Sequence, residues 1–181
     1  PESTKLVLFA GRLIPEKGVR ELIGAAHILK RTDTVILFAG GGPMLEELQS
    51  RYSADPKIRI LGRLAHKELL PLYAQSDVMC LPSYSEGFPT TLLEAAVCGC
   101  AEVANDTGGV REILVGEEYG IVLPSPDSET IASALERMLQ DDTFRTESAG
   151  LLRTYVKEHF DWSVTGRRFL KIAADALPEN K

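Results

Sequence analysis

The sequence predicts an α/β fold in which helices cover both faces of a doubly wound parallel sheet of about six strands. Short apolar segments alternate with amphipathic helical segments, and most of the apolar segments end in a turn rich in Gly or Pro. The apolar segments also lack the polar–apolar alternation of a strand that faces water on one side. Strands of this kind are buried on both faces, which in a chain with crossover helices favours a parallel sheet.

Six segments have the length and composition of buried strands. They cover residues 5–10, 34–39, 58–61, 77–81, 100–104 and 119–123. Helices are expected after the first strand, where apolar residues recur at helical spacing from Val19 to Leu29, and at residues 44–48, 67–74 and 89–97.

The last third of the chain is predicted to be helical. The helical pattern runs from Asp127 to Leu177, with breaks near residues 141–142 and 160–162. We therefore predict a Rossmann-like domain over residues 1–160 and a helical C-terminal extension over residues 161–181.

The composition is that of an ordinary soluble globular domain. The chain has 181 residues, of which 44% are hydrophobic and 25% charged, and its net charge is −6. A globally acidic surface argues against a nucleic-acid or an anionic-membrane partner. Since no apolar run approaches the roughly 18 residues of a membrane-spanning helix, we expect no transmembrane segment.

The cysteine content and the first residue bear on the cellular compartment of the protein. The cysteine count is odd, and Cys98 and Cys100 have no second pair of cysteines to complete a disulfide framework or a zinc site. Buried thiols in a reducing cytoplasm fit this pattern. Pro1 stands where an initiating Met would, and no apolar leader follows it, so we expect a segment of a longer cytoplasmic protein.

In a doubly wound sheet, ligands bind beyond the carboxyl ends of the strands, so the loops there are the candidate sites. The loop after the first strand carries Arg12 and Lys17 between Gly11 and Gly18, just before a helix. Two cations at a helix N-terminus suit a phosphate or a diphosphate, although a solvated basic loop would have the same composition. The turn Gly40-Gly41-Gly42-Pro43 after the second strand is best explained as a tight turn, because the spacing of a dinucleotide-binding fingerprint is absent.

The loop after the fourth strand carries the strongest signal. Pro89 is expected at the first helical position, which gathers backbone amides at the positive end of a helix, namely those of Gly87, Phe88, Thr90 and Thr91. Glu86 precedes this helix start and Glu94 follows it. Two carboxylates on either side of an anion site fit a ligand with a central diphosphate and hydroxyls at both ends, as in a nucleoside diphosphate sugar. The alternative is a capping acid and a surface helix carboxylate.

The region of the fifth strand poses two questions. Its exit turn contains Gly108 and Gly109, which could line the same cleft or only turn the chain. Glu102 lies inside the strand, where a buried charge costs several kcal/mol unless it is paired or protonated. We expect that the strand is near an edge of the sheet or that Glu102 has a partner, with Arg111 as the first candidate.

Taken together, the loops resemble the donor-binding half of retaining glycosyltransferases of the GT-B fold, in GT4, the glycosyltransferase group 1 family. The resemblance covers nearly the whole chain and depends on the joint order of several short motifs. They are Gly11-Arg12-Leu13 with Glu16-Lys17-Gly18, Gly40-x-Gly42-Pro43, Leu81-Pro82-Ser83, the two glutamates Glu86 and Glu94 separated by seven residues, and Gly108-Gly109-x-x-Glu112.

The resemblance implies a role for each matching position. Arg12 and Lys17 would bind the donor diphosphate and stabilise the leaving nucleotide, and with Glu86, which would contact the transferred sugar, they form the expected catalytic group. Glu94 would bind the ribose hydroxyls. The nucleobase would lie near Arg63 and Leu64. The other expected donor-binding positions are Gly11, Gly40, Gly42, Gly87, Phe88, Pro89, Thr90, Thr91 and Leu92.

The resemblance implies a transferase that moves a hexose-type sugar from a nucleoside diphosphate sugar to an acceptor hydroxyl, as in polysaccharide biosynthesis. No metal or other cofactor is expected, and the chain contains no Asp-x-Asp motif. The partner would be an N-terminal acceptor domain that residues 1–181 do not contain. That domain could provide peripheral membrane contact, the C-terminal extension would pack toward it, and the isolated chain would be inactive.

Two other functions fit the same residues. One is a non-catalytic module that binds a nucleotide sugar, and the other is a sugar-nucleotide epimerase of similar fold. The sequence leaves the sugar, the base and the acceptor open.

Overall fold

A computed structural model describes residues 4–176, and its centre is a six-stranded parallel sheet. The strands are β1 (Lys5–Ala10), β2 (Thr34–Ala39), β3 (Ile58–Gly62), β4 (Val78–Leu81), β5 (Ala101–Asn105) and β6 (Ile121–Leu123). They lie in the order β3-β2-β1-β4-β5-β6, and every neighbouring pair is parallel. The predicted fold class is confirmed.

Eight α-helices complete the described part of the chain. They are α1 (Val19–Ile28), α2 (Leu45–Arg51), α3 (His66–Gln75), α4 (Thr90–Cys98), α5 (Val110–Ile113), α6 (Ser128–Gln140), α7 (Asp142–His159) and α8 (Trp162–Ala176). Right-handed crossovers place α1 and α2 on one face of the sheet and α3 and α4 on the other. α6 packs against α1, and α7 packs against α4, so both faces are covered.

The strand order reverses between β1 and β4. From β1 the chain proceeds outward through β2 to β3, and then returns to add β4 on the other side of β1. All four residues of β4 are buried, and Val7 of β1 pairs with Val78 of β4. Buried apolar strands of this kind bring the carboxyl ends of β1 and β4 together, which is where ligands bind in open α/β sheets.

The breaks predicted in the helical C-terminal region occur where the sequence indicated. α6 is capped by Asp127, whose side chain accepts a hydrogen bond from the Thr130 amide, and α7 is capped by Asp141 in the same way. α7 ends at His159 and α8 begins at Trp162. The last five residues of the predicted extension, 177–181, and residues 1–3 lie outside the described residues.

Some predicted element boundaries are wrong by one or two residues. Pro89 is the N-cap of α4 and not its first helical residue, because its ψ of 89° is not helical while its carbonyl accepts the Leu92 amide at 3.1 Å. β4 begins one residue later than predicted, and β5 is shifted by one residue toward the C-terminus. β6 is shorter because Glu117–Tyr119 form a single 3-10 turn.

Glu102 meets neither of the two conditions expected for it. Its strand β5 lies between β4 and β6, so it is not at the edge of the sheet. Arg111 does not reach it, because its guanidinium pairs with the Asp106 carboxylate at 2.9 Å on the surface. The Glu102 side chain is fully buried, and neither carboxyl oxygen has a hydrogen-bond partner. Burial raises the pKa of Glu102 well above its ordinary value, an effect that the nearby Ala96 backbone opposes only in part, and this favours the neutral acid.

The raised pKa of Glu102 makes the stability of the folded chain depend on pH. In the unfolded chain a glutamate titrates at about pH 4.3, whereas in the folded chain the raised pKa of Glu102 keeps its proton to a higher pH. Its contribution to stability is therefore full below the unfolded pKa and is lost as the pH rises toward the folded pKa. Relative to the parent, Glu102→Gln should gain up to about 1.4 kcal/mol of unfolding free energy per pH unit over this window.

Urea unfolding of both proteins between pH 5 and pH 8 measures the effect. Glu147→Gln is the control, since Glu147 is exposed on α7 and forms no ion pair among the described residues. Its stability difference from the parent should not change with pH. A difference between Glu102→Gln and the parent that is equally independent of pH would mean that Glu102 titrates normally in the folded chain.

Candidate functional site

The loops that follow β1 and β4 meet at the reversal of the sheet. Lys17 Nζ lies 2.7 Å from Glu86 Oε1, and it also donates to the Ser85 carbonyl at 3.3 Å. The side chains of Lys17 and Glu86 are 20% and 10% exposed, so this ion pair is largely shielded from water. The structure therefore brings together two of the residues that the sequence singled out in separate loops.

Tyr84 fixes the same two loops to each other. Its backbone amide donates to the Glu16 carbonyl at 2.9 Å, and its hydroxyl donates to Glu21 Oε1 of α1 at 2.9 Å. The Tyr84 side chain is half exposed, so it stands at the outer edge of the two loops. The two loops consequently form one continuous wall.

A cavity of about 290 Å³ lies beside this wall, at the carboxyl ends of β1 and β2. Its lining joins the first three strand exits to the start of α4 and consists of Ala10, Gly11, Arg12, Ala39, Gly40, Gly41, Arg63, Leu64, Leu69 and Thr91. Two of these residues, Arg12 and Arg63, are exposed cations. With the positive N-terminus of α4 on the same side, the cavity has the electrostatics of an anion site.

The glycine turn after β2 has a packing role as well as a place in the lining. A Cβ on Gly40 would lie 1.7 Å from the Gly11 carbonyl oxygen, so no other residue permits this approach of the two loops. The Leu13 amide also donates to the Gly41 carbonyl at 2.9 Å. The tight turn expected from the sequence is present, and it forms part of the cavity floor.

Glu94 lies on α4, one turn after Thr91 of the cavity lining. Its Oε2 accepts a hydrogen bond from the Tyr73 hydroxyl of α3 at 3.3 Å and lies 3.6 Å from His66 Nε2. The sequence interpretation missed Tyr73. The available signal was a tyrosine on the buried face of a predicted helix, since a buried phenol hydroxyl normally has a partner.

The turn after β5 braces the Glu86 loop and does not line the cavity. The Gly109 amide donates to the Gly87 carbonyl at 2.8 Å, and the Asn105 side-chain amide donates to the Ser83 carbonyl at 2.9 Å. Gly108 has a φ of +53°, and a Cβ there would lie 2.1 Å from the Glu86 carbonyl oxygen. The sequence left open whether this turn lines the cleft or only turns the chain, and the structure shows a third role, which is support of the neighbouring loop.

Phe88 connects the same loop to the end of α7. Its ring lies 5.6 Å from the ring of Phe160, which occupies the break between α7 and α8, and it also covers Gly109. Phe160 in turn contacts Tyr155 of α7, edge to face, at 5.9 Å. The C-terminal region therefore contacts the loop that carries Glu86.

The expected donor-binding residues divide into two groups. Those in the cavity lining are Gly11, Arg12, Gly40, Arg63, Leu64 and Thr91. Those outside that lining are Lys17, Gly42, Glu86, Gly87, Phe88, Pro89, Thr90, Leu92 and Glu94. Leu92 differs most from the expectation, since its side chain is buried in the core and its amide is engaged by Pro89.

Neither a metal-binding cluster nor a membrane-spanning helix is present in residues 4–176. No three His, Cys, Asp or Glu side chains in this range are grouped so that they could hold a metal ion. Over the same range, no helix combines the length and the apolar character that a membrane span requires.

Comparison with known proteins gives consistent results for sequence and structure. The profile of the family described as glycosyl transferases group 1 matches residues 1–156. An uncharacterized glycosyltransferase of Methanocaldococcus jannaschii is 33% identical over 180 residues, which are 97% of this chain and 46% of that protein. The chain thus spans less than half of the length of this relative.

Two solved structures share the fold. HepE from Anabaena, crystallised with UDP, has a TM-score of 0.86 at 20% identity, and the match covers 96% of this chain and 49% of HepE. The C-terminal domain of a glycosyl transferase group 1 family protein from Francisella tularensis has a TM-score of 0.75 at 25% identity. That match covers 87% of each chain.

The contact between Gly108 and Glu86 can be tested by comparing two glycines. Gly99 also has a left-handed backbone, with a φ of +83°, but a Cβ there would meet nothing within 4 Å. Gly99→Ala should therefore cost only the backbone strain, about 1–2 kcal/mol. Gly108→Ala should cost more, because the Glu86 carbonyl must also move. Urea unfolding measures both losses of unfolding free energy. Equal losses would show that the contact between Gly108 and the Glu86 loop accommodates a side chain.

Proposed function

The chain belongs to the family of glycosyl transferases group 1, and on this basis we propose that it is the donor-binding half of a retaining glycosyltransferase. The substrate would be a nucleoside diphosphate sugar, whose hexose-type sugar is transferred to an acceptor hydroxyl. The observation that carries the proposal is the convergence, at one edge of the sheet, of the Arg12 cavity and the Lys17–Glu86 pair. That HepE, of the same fold, was solved with UDP supports a nucleoside diphosphate as the ligand class.

The diphosphate would bind to Arg12, Lys17 and the N-terminal amides of α4. Arg12 supplies one positive charge, the helix end adds a partial one, and Lys17, which is paired with Glu86, would share its charge with the diphosphate. The same groups would stabilise the negative charge that develops on the leaving nucleotide as the glycosidic bond breaks. This donor set needs no metal ion or other cofactor.

The Lys17–Glu86 pair suggests how the sugar is bound. Without a ligand, each group neutralises the other in a site with little access to water. When a diphosphate shares the Lys17 ammonium, the Glu86 carboxylate gains capacity to accept hydrogen bonds from sugar hydroxyls. Glu86 would thus contact the transferred sugar, while Lys17 contacts the phosphate beside it.

The nucleoside would occupy the other end of the site. Arg63 and Leu64 at the exit of β3 line the cavity and supply a polar and an apolar surface for a base. Glu94 would accept hydrogen bonds from the ribose hydroxyls, one turn into α4 from the phosphates. The ligand would then run from β3 across β1 toward the Glu86 loop.

The second half of the enzyme would be an N-terminal acceptor domain. α8 carries large apolar side chains that are more than half exposed, at Trp162, Phe169, Leu170 and Ile172. An unpartnered apolar face of this kind supports packing against that domain, which would also provide peripheral membrane contact. The free cysteines Cys80, Cys98 and Cys100 support a location in the reducing cytoplasm.

Binding of nucleotides by the 181-residue chain tests the site. Calorimetry against UDP, GDP, ADP and their sugars should identify one preferred base. Arg12→Ala and Glu94→Ala should each weaken binding of that ligand by about 1–3 kcal/mol, the value of a hydrogen bond to a charged group. Arg31→Ala is the control, because Arg31 pairs with Asp33 just before the amino end of β2, at the opposite edge of the sheet. If both site variants bind like the parent, the site is elsewhere.

A second expectation concerns turnover. Because the acceptor would bind to the N-terminal domain, the 181-residue chain should bind its nucleotide sugar without transferring the sugar. Incubation with the preferred sugar donor and a mixture of sugar and polyol acceptors, followed by chromatography of the released nucleotide, measures this. Transfer above the rate of spontaneous hydrolysis would contradict the assignment of this chain as half of a catalytic unit.

A further inference from the structure

The contact between Tyr73 and Glu94 joins a fully buried side chain to a partly exposed one. Tyr73 is 0% exposed and lies in the core between α3 and β1, while the Glu94 side chain is 29% exposed. The tyrosine hydroxyl donates to Glu94 Oε2 at 3.3 Å, and this is its one hydrogen bond among residues 4–176. A rigid group inside the core is thus joined to a carboxylate that reaches the surface.

The two oxygens of Glu94 have different environments. Oε2 has both nearby polar partners, since the Tyr73 hydroxyl donates a hydrogen bond to it and His66 Nε2 lies 3.6 Å away. Within residues 4–176, no donor lies at hydrogen-bond distance from Oε1, and Oε1 is also not among the buried unpaired oxygens, so it reaches solvent. One oxygen is therefore held by the protein, and the other is available to a ligand.

We propose that Tyr73 is a positioning residue that holds the Glu94 carboxylate so that Oε1 faces the ribose hydroxyls of the donor nucleotide. This inference rests on the proposed role of Glu94 in ribose binding. A glutamate has several side-chain torsions and adopts many rotamers when it is unrestrained. A donor fixed in the core selects one of them before the ligand arrives, so the ligand does not have to order the side chain.

Two features suit Tyr73 to this role better than His66. Burial, followed by the charge of Glu94, raises the pKa of the Tyr73 hydroxyl, so it stays a protonated donor. The side chain of His66 is 65% exposed, and it forms an ion pair only when protonated. An exposed pair of this kind contributes little and restricts the partner weakly.

The experiment measures ribose discrimination by calorimetry on the 181-residue chain. The probes are UDP, GDP and ADP, each beside its 2′,3′-dideoxy counterpart, which lacks the hydroxyls that Glu94 would bind. For the parent, the dideoxy form should bind more weakly. In Tyr73→Phe, the ratio of the two dissociation constants should fall by about three- to tenfold, the factor expected when a fixed side chain spreads over several rotamers.

Two further variants separate positioning from a general structural effect. In a Glu94→Gln background, Tyr73→Phe should change the ratio much less, because its effect passes through the carboxylate. Tyr155→Phe is the matched control, since the Tyr155 hydroxyl also donates at 3.3 Å, but to the Glu112 carbonyl. It should keep the ratio of the parent. Circular dichroism checks that each variant is folded, and Phe fills the same core space as Tyr73.

The outcomes separate the inference from the proposed function. If the parent binds none of the six nucleotides, the proposed function fails and this inference fails with it. If the parent binds but does not discriminate against the dideoxy forms, Glu94 does not bind ribose and Tyr73 has nothing to position. If the parent discriminates and Tyr73→Phe keeps its ratio, the proposed function stands and the inference alone is wrong.

Discussion

The reversal of strand order between β1 and β4 is the constraint on which the site depends. Parallel strands all present their carboxyl ends at one edge, but only at the reversal do two adjacent loops lead into helices on opposite faces. The crevice between them holds the ion pair of Lys17 and Glu86 at 2.7 Å. Neither residue could reach the other if β4 were added beyond β3, because two strands would then separate their loops.

The loops at this edge support one another, and the core supports them. The loop after β4 is held on one side by Glu16 and on the other by Gly109, through backbone hydrogen bonds of 2.9 and 2.8 Å. Gly40 lets the loop after β2 lie directly against Gly11. These contacts join backbone to backbone, so the side chains of Arg12, Lys17 and Glu86 extend from a fixed frame. Such a frame can meet a ligand without a large loss of conformational entropy.

The sequence was sufficient to predict the strands, the helices and the candidate loops, because each of these has a local sequence pattern. Continuous apolar runs predicted all six strands, and Gly, Pro and paired charges marked the exits that now surround the crevice. Local sequence patterns could not predict which residues of different elements contact one another. The hydrogen bond from Tyr73 to Glu94 joins two helices whose packing only the folded sheet determines. The apolar run of β5 likewise showed that Glu102 would be buried but not what surrounds it, and its expected partner Arg111 belongs to a surface pair with Asp106.

Three glutamates in this half of the sheet show how environment decides what one side chain can do. Glu102 lies in an interior strand without a partner, and its complete burial raises its pKa and leaves no surface that a cation or a sugar could reach. Glu86 has nearly the same shielding from water, but Lys17 supplies a counter-charge, and the carboxylate stays available at the crevice. Glu94 has a neutral donor, Tyr73, on one oxygen and solvent on the other. A neutral donor restricts the carboxylate without cancelling its charge. Of the three, Glu94 therefore keeps one oxygen open to solvent, whereas Glu86 is held in an ion pair and Glu102 is enclosed in the core.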